Sequence, residues 1–121
     1  MLSDTFDPAG IAIDWLDACR ARRLDDLLDL FDIRGSIQCV CSGPFIYRGR
    51  DSLARYWSSR LEKAVPHAFE LIDLSPGDNG AQCRIDVSYV GYDGKPVDAR
   101  FEFTKAGKIA DMVCFPARIR R

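Results

Sequence analysis

The residues that stand out for acid–base, nucleophilic or metal chemistry are one histidine, a carboxylate that follows it at strand spacing, and five cysteines. His67 is the only histidine, placed directly after Pro66 at the start of an expected strand. Asp73 shares its parity with His67, Phe69 and Leu71, so a regular strand sets all four side chains on one face. An imidazole and a carboxylate facing one cavity would be the means of moving a proton, although six residues of strand hold them too far apart to touch. Of the five cysteines, Cys39 and Cys41 are separated by one residue, which in a strand points both the same way. No CxxC spacing occurs, and one histidine is too few to complete a zinc site, so no metal is expected and the thiols read as small apolar residues in a reducing cytoplasm.

The elements that position these groups follow from periodicity. From Cys83, apolar Cys83, Ile85, Val87 and Tyr89 alternate with polar Arg84, Asp86 and Ser88. Val97, Ala99, Phe101 and Phe103 alternate in the same way with Asp98, Arg100, Glu102 and Thr104. Each run predicts a strand with one dry and one wet face. Tyr92-Asp93-Gly94 between them predicts a three-residue hairpin loop with Gly94 in the left-handed region. Charge selects the register: Tyr89 opposite Val97 sets Asp86 against Arg100 and Arg84 against Glu102, whereas a slip of two residues sets Asp86 against Glu102. A second hairpin turns at Lys105-Ala106-Gly107 into a strand over 108–115.

Upstream, Ile11, Trp15, Ala18 and Cys19 recur at helical spacing over Ala9–Arg22, and Leu24, Leu27, Leu28 and Phe31 repeat the pattern, with no capping residue to mark the junction. Ser36–Ser42 predicts a strand, Phe45-Ile46-Tyr47 a short return, and Leu53, Tyr56, Trp57 and Leu61 a third helix opening at Asp51 and stopped by Pro66. Ala68–Leu74 predicts another strand, and 76–80 a turn. Residues 1–8 and 117–121 read as loose ends of a single domain, 1–121.

Composition narrows the function classes. The 121 residues carry a formal net charge of -1, with 47% hydrophobic and 29% charged side chains, which offers no footprint for nucleic acid. No apolar run reaches the roughly 20 residues that span a bilayer, and the acidic start lacks a signal peptide's basic region.

The element order, together with Leu24-Asp25-Asp26-Leu27-Leu28-Asp29-Leu30-Phe31, Tyr47-Arg48-Gly49-Arg50-Asp51-Ser52-Leu53 and Gly107-Lys108-Ile109, resembles the NTF2-like superfamily, in its SnoaL-like and ketosteroid-isomerase-like branches. The resemblance spans residues 9–115 and implies an α+β cone: a curved, mostly antiparallel sheet wrapped around three helices, with a pocket at one end. Members include isomerases, cyclases, dehydratases, epoxide hydrolases and non-catalytic modules, so fold alone does not assign a reaction. The isomerase branch's catalytic positions fall by spacing on Trp15, Cys39 and Ala99, none of which carries the family's side chain. The resemblance implies an apolar pocket lined by Trp15, Cys39, Cys41, Trp57, Tyr89, Phe101, Met112 and Cys114, binding a small hydrophobic molecule without a cofactor. Relatives also carry a histidine near position 67. Two parities stay open for the last strand: the family pattern turns Met112 and Cys114 inward, and the alternative turns Ile109, Asp111, Val113 and Phe115 inward, adding a pocket carboxylate. A homodimer is expected through the outer sheet face around Val90, Val113 and Phe115. The alternatives to simple binding are an isomerase or cyclase acting by proton transfer on a carbonyl compound, and a partner-binding module without a ligand.

Overall fold

A computed structural model describes residues 6–39, 45–76 and 84–116. The chain runs α1 (Pro8–Arg20), α2 (Leu24–Asp29), β1 (Phe31–Cys39), β2 (Ile46–Arg48), α3 (Arg50–Glu62), β3 (Leu71–Pro76), β4 (Arg84–Val90), β5 (Pro96–Phe103) and β6 (Ile109–Pro116). Six strands form one curved, unclosed sheet in the order β2-β1-β6-β5-β4-β3. Every neighbouring pair is antiparallel except β1 and β6, which run parallel. The helices cover one face of this sheet, which is the α+β cone expected from the sequence. Among the described residues, no helix is long and apolar enough to cross a membrane.

The first helix starts earlier than its periodicity shows. Asp7 accepts a hydrogen bond from the Ala9 amide and Pro8 occupies the first turn, where a missing N–H costs nothing. Its end explains why the α1–α2 junction is hard to read. Arg22 N–H bonds to the Cys19 carbonyl and Arg23 N–H to that of Ala18, while Arg22 takes a φ of 58°. That pattern is a Schellman cap with arginine in the position where glycine usually signals the stop.

The central hairpin has the register that charge selects. Tyr89 faces Val97, Asp86 faces Arg100 and Arg84 faces Glu102. Arg100 Nε donates to Asp86 Oδ1 at 3.2 Å, and the Ser88 hydroxyl donates to Asp98 at 2.5 Å. Gly91 and Lys95 close the loop by a 2.8 Å backbone bond, and Gly94 has a φ of 89°.

Two irregularities decide which side chains reach the interior. Glu102 pairs with Asp111 and Phe103 with Ile109, so Ala110 is an extra residue in β6. This bulge lets Ile109 face inward and then resets the parity, so that Met112 and Cys114 face inward as well. The alternative parity thus holds only for Ile109. Asp111 turns outward, where it accepts a 2.5 Å hydrogen bond from the Ser36 hydroxyl.

The second irregularity precedes β3. The strand begins at Leu71 rather than Ala68, because residues 66–69 form a turn and Phe69 adopts a φ of 66°. Val90 bonds across it to both the Phe69 amide and the Glu70 carbonyl. A left-handed residue breaks the alternation that a regular strand would carry.

Candidate functional site

The interior of the cone is built around Trp15, at the centre of the inward face of α1. Its ring meets Trp57 of α3 at 5.3 Å, Tyr89 of β4 at 5.2 Å, Phe101 of β5 at 5.2 Å and Phe69 at 6.1 Å, all edge-on. Edge-to-face contacts suit the ring quadrupoles and lock the relative positions of two helices and two strands. Tyr56 extends the cluster beyond Trp57, at 5.0 Å, towards Tyr47 of β2.

The sheet contributes the sulfur-bearing side of the same interior. Cys39 of β1 and Cys114 of β6 are direct ladder neighbours, as are Phe101 and Met112. Of the residues expected to line a pocket, Trp15, Cys39, Trp57, Tyr89, Phe101, Met112 and Cys114 are all buried in this one cluster. Cys41 lies outside the described residues. Phe69 belongs to the cluster too, and its alternation in sequence does not reveal this, because its inward direction depends on the left-handed turn.

His67 and Asp73 are elsewhere. The His67 side chain is 83% exposed, and its Nδ1 lies 3.9 Å from Glu70 on the surface. Asp73 is exposed as well. The shared inward face expected for them does not form, since Phe69 turns the chain and the β3–β4 register shifts between Leu71 and Asp73.

The polar atoms that do reach the interior are weak acids and indole N–H groups. The Tyr56 hydroxyl is hydrogen-bonded to the Cys39 sulfur and the Tyr89 hydroxyl to that of Cys114. Burial pushes the pKa of both phenols up, with the nearby thiols adding to the shift. Burial also raises the Cys19 thiol, against a smaller opposing pull from Arg20. Such groups stay protonated near neutral pH, so they are donors and not bases. Trp15 Nε1 and Trp57 Nε1 are fully buried and meet no acceptor among the described residues. A buried donor left unmade costs about 1–3 kcal/mol, and two of them stand on adjoining rings.

Two depressions lie on the outside. One of about 420 Å³ is lined by Asp29, Ile33, Arg50 and Lys108 among others, with Arg50 and Lys108 both bonded to Asp29. The other, about 310 Å³, lies on the outer sheet face between Ile46, Val113 and Phe115.

No family model matches the sequence, and no curated protein matches it. Solved structures do match. A SnoaL-like protein of unknown function from Burkholderia thailandensis superposes with a TM-score of 0.77 at 21% identity, covering 91% of this chain and 94% of that one. The epoxide hydrolase/cyclase-like enzyme SalBIII, of pyran ring formation in salinomycin, gives 0.69 at 20% identity, covering 91% and 90%. The Orange Carotenoid Protein of Anabaena (Nostoc), binding canthaxanthin, gives 0.61 at 18% identity, over 86% of this chain and 35% of that one. The chain therefore has the fold of the SnoaL-like and NTF2-like proteins.

Proposed function

We propose that the interior of the cone binds a small hydrophobic molecule and takes an acceptor oxygen of that molecule on Trp15 Nε1 and Trp57 Nε1. The observation that carries this reading is the pair of buried, unmet indole donors on adjoining rings. Aromatic edges supply apolar contact, and a few convergent donors set orientation, which is how small-molecule sites are commonly built. The carotenoid-binding neighbour supports a hydrophobic ligand for this fold. Binding is favoured over proton transfer because Cys19, Tyr56 and Tyr89 all face inward with their protons held by burial. Cys19, Cys39 and Cys114 are buried as small apolar residues of the core, which suits a cytoplasmic protein.

The test is calorimetric titration with 9-fluorenone and with fluorene, which share a ring skeleton and differ in the carbonyl. The ketone is expected to bind more tightly, and Trp15→Phe or Trp57→Phe to weaken it about five- to tenfold while leaving fluorene unchanged. Equal binding of the two compounds would remove the indoles from the reading. Binding of neither would remove the pocket.

A second reading concerns the outer face, where the apolar floor of Ile46, Val113 and Phe115 is ringed by Arg48, Arg100, Glu102 and Asp111. Charges of both signs around an apolar patch are what a self-complementary interface needs. A homodimer is expected at micromolar concentration by light scattering, and Val113→Lys should dissociate it. A wild-type mass of one chain would contradict it.

A further inference from the structure

Phe69 lies against both indoles that carry the unmet donors, 6.1 Å from the Trp15 ring and 6.4 Å from that of Trp57. Its ring also stacks on Tyr89 at 6.2 Å, and the residue is 2% exposed. Trp57, Tyr89 and Phe101, the other rings edge-on to Trp15, stand on α3, β4 and β5. Phe69 alone of these four stands on a turn, residues 66–69, in which Pro66 and His67 are exposed. Two residues of chain separate solvent from a ring that packs on both donors.

The backbone of that turn is strained and held from outside. A φ of 66° is uncommon in any residue but glycine, and more so in a bulky aromatic one. Such strain persists only where neighbouring contacts impose it. The Phe69 amide donates to the Val90 carbonyl at 2.5 Å, and Arg20 of α1 donates to the Phe69 carbonyl at 3.0 Å. Arg22 reaches the same segment, donating to the Ala64 carbonyl at 3.3 Å. The Arg20 side chain is 41% exposed, so its bond to Phe69 breaks without disturbing the core. Interiors are packed closely, so a ligand enters this one only by displacing a side chain. The ring on the strained turn is the one that leaves while helices and ladders stay paired.

We propose that Phe69 holds the place of the ligand's ring, and that its turn is the way in. Opening breaks the two hydrogen bonds at Phe69, lets its φ relax to the extended region and carries the phenyl ring towards solvent. The vacated volume has the size of one phenyl ring and is walled by Trp15, Trp57 and Tyr89, so a flat aromatic ring fits it. The placeholder role rests on the indole donors marking the ligand site, whereas the opening depends on no ligand.

Trp15 and Trp57 are the chain's two tryptophans, so their indole N–H signals report on this interior alone. The experiment follows their hydrogen exchange by NMR in the ligand-free full chain, across low urea concentrations. In wild type the exchange is expected to be independent of urea, the mark of a local opening. Arg20→Ala should speed it about three- to tenfold, the loss of one hydrogen bond, and leave the urea dependence unchanged. Ile109→Val, a buried change on β6, lowers overall stability and should leave that rate within about twofold of wild type. Phe69→Gly accepts the positive φ without a ring, and should bind acetophenone and ethylbenzene about tenfold or more tightly than wild type does. A gain in both compounds belongs to Phe69, and a preference for the ketone belongs to the indoles, so the two readings fail separately. Near-UV circular dichroism checks that each variant is folded, and Phe69→Ala replaces Phe69→Gly if it is not. Exchange that follows global unfolding, or that Arg20→Ala leaves unmoved, overturns the way in. Unchanged affinity for both compounds in a folded Phe69 variant overturns the placeholder.

Discussion

Trp15→Ala is expected to lower the free energy of unfolding by about 3–5 kcal/mol, read from urea denaturation followed by circular dichroism. Trp15 is fully buried, and its ring has edge contacts to Trp57, Phe69, Tyr89 and Phe101, which come from α3, the turn before β3, β4 and β5. Truncation removes the transfer gain of a large side chain and leaves a cavity shared by four elements. Collapse around such a cavity is limited, because each wall is fixed by its own helix or ladder. Domains of this kind are stable by about 5–15 kcal/mol, so the variant approaches the threshold of folding. Trp15→Phe separates the ring from its N–H. It keeps most of the packing and removes a donor that meets no acceptor among the described residues, so it should stay within about 1–2 kcal/mol of wild type. If alanine cost under 1 kcal/mol, the aromatic cluster would not be what holds helices to sheet.

The strands and their register were legible because two independent signals agreed: alternation of apolar residues, and opposite charges at Asp86–Arg100 and Arg84–Glu102. The helices were legible in their buried faces but not at their ends. The cap at Arg22 depends on a left-handed arginine, and nothing in an arginine announces that conformation. The same kind of departure misled the reading of His67 and Asp73. Parity arguments assume an unbroken strand, and Phe69 interrupts it with a positive φ, burying itself and leaving His67 in solvent. The β6 parity stayed open in the residues themselves because one extra residue at Ala110 satisfies part of each alternative. Bulges and left-handed residues are set by packing between distant segments, which local periodicity does not encode. The candidate site was therefore readable as a set of buried aromatic and sulfur side chains. The unmet indole donors and the Cys39–Cys114 pairing required the fold.

Stability should also fall on the alkaline side of pH 9. Cys19, Tyr56 and Tyr89 are all held protonated by burial, so each has a folded pKa above its ordinary value of 9.0 for the thiol and 10.0 for the phenols. The unfolded chain releases those protons as pH passes the ordinary values, while the folded chain keeps them. The unfolded state then binds fewer protons than the native state, and the free energy of unfolding declines as pH rises. Below about pH 8 the three groups are protonated in both states and contribute no slope. Each group adds somewhat over 1 kcal/mol of loss per pH unit once its unfolded form ionises, so the decline steepens between pH 9 and pH 11. Urea midpoints across that window should drop steeply for wild type. Tyr56→Phe and Tyr89→Phe should each flatten the curve above pH 10 by removing one titrating hydroxyl and leaving its ring in place. A midpoint constant from pH 8 to pH 11, or an unaltered slope in the Tyr56→Phe/Tyr89→Phe variant, would show that these hydroxyls reach solvent and ionise in the folded protein.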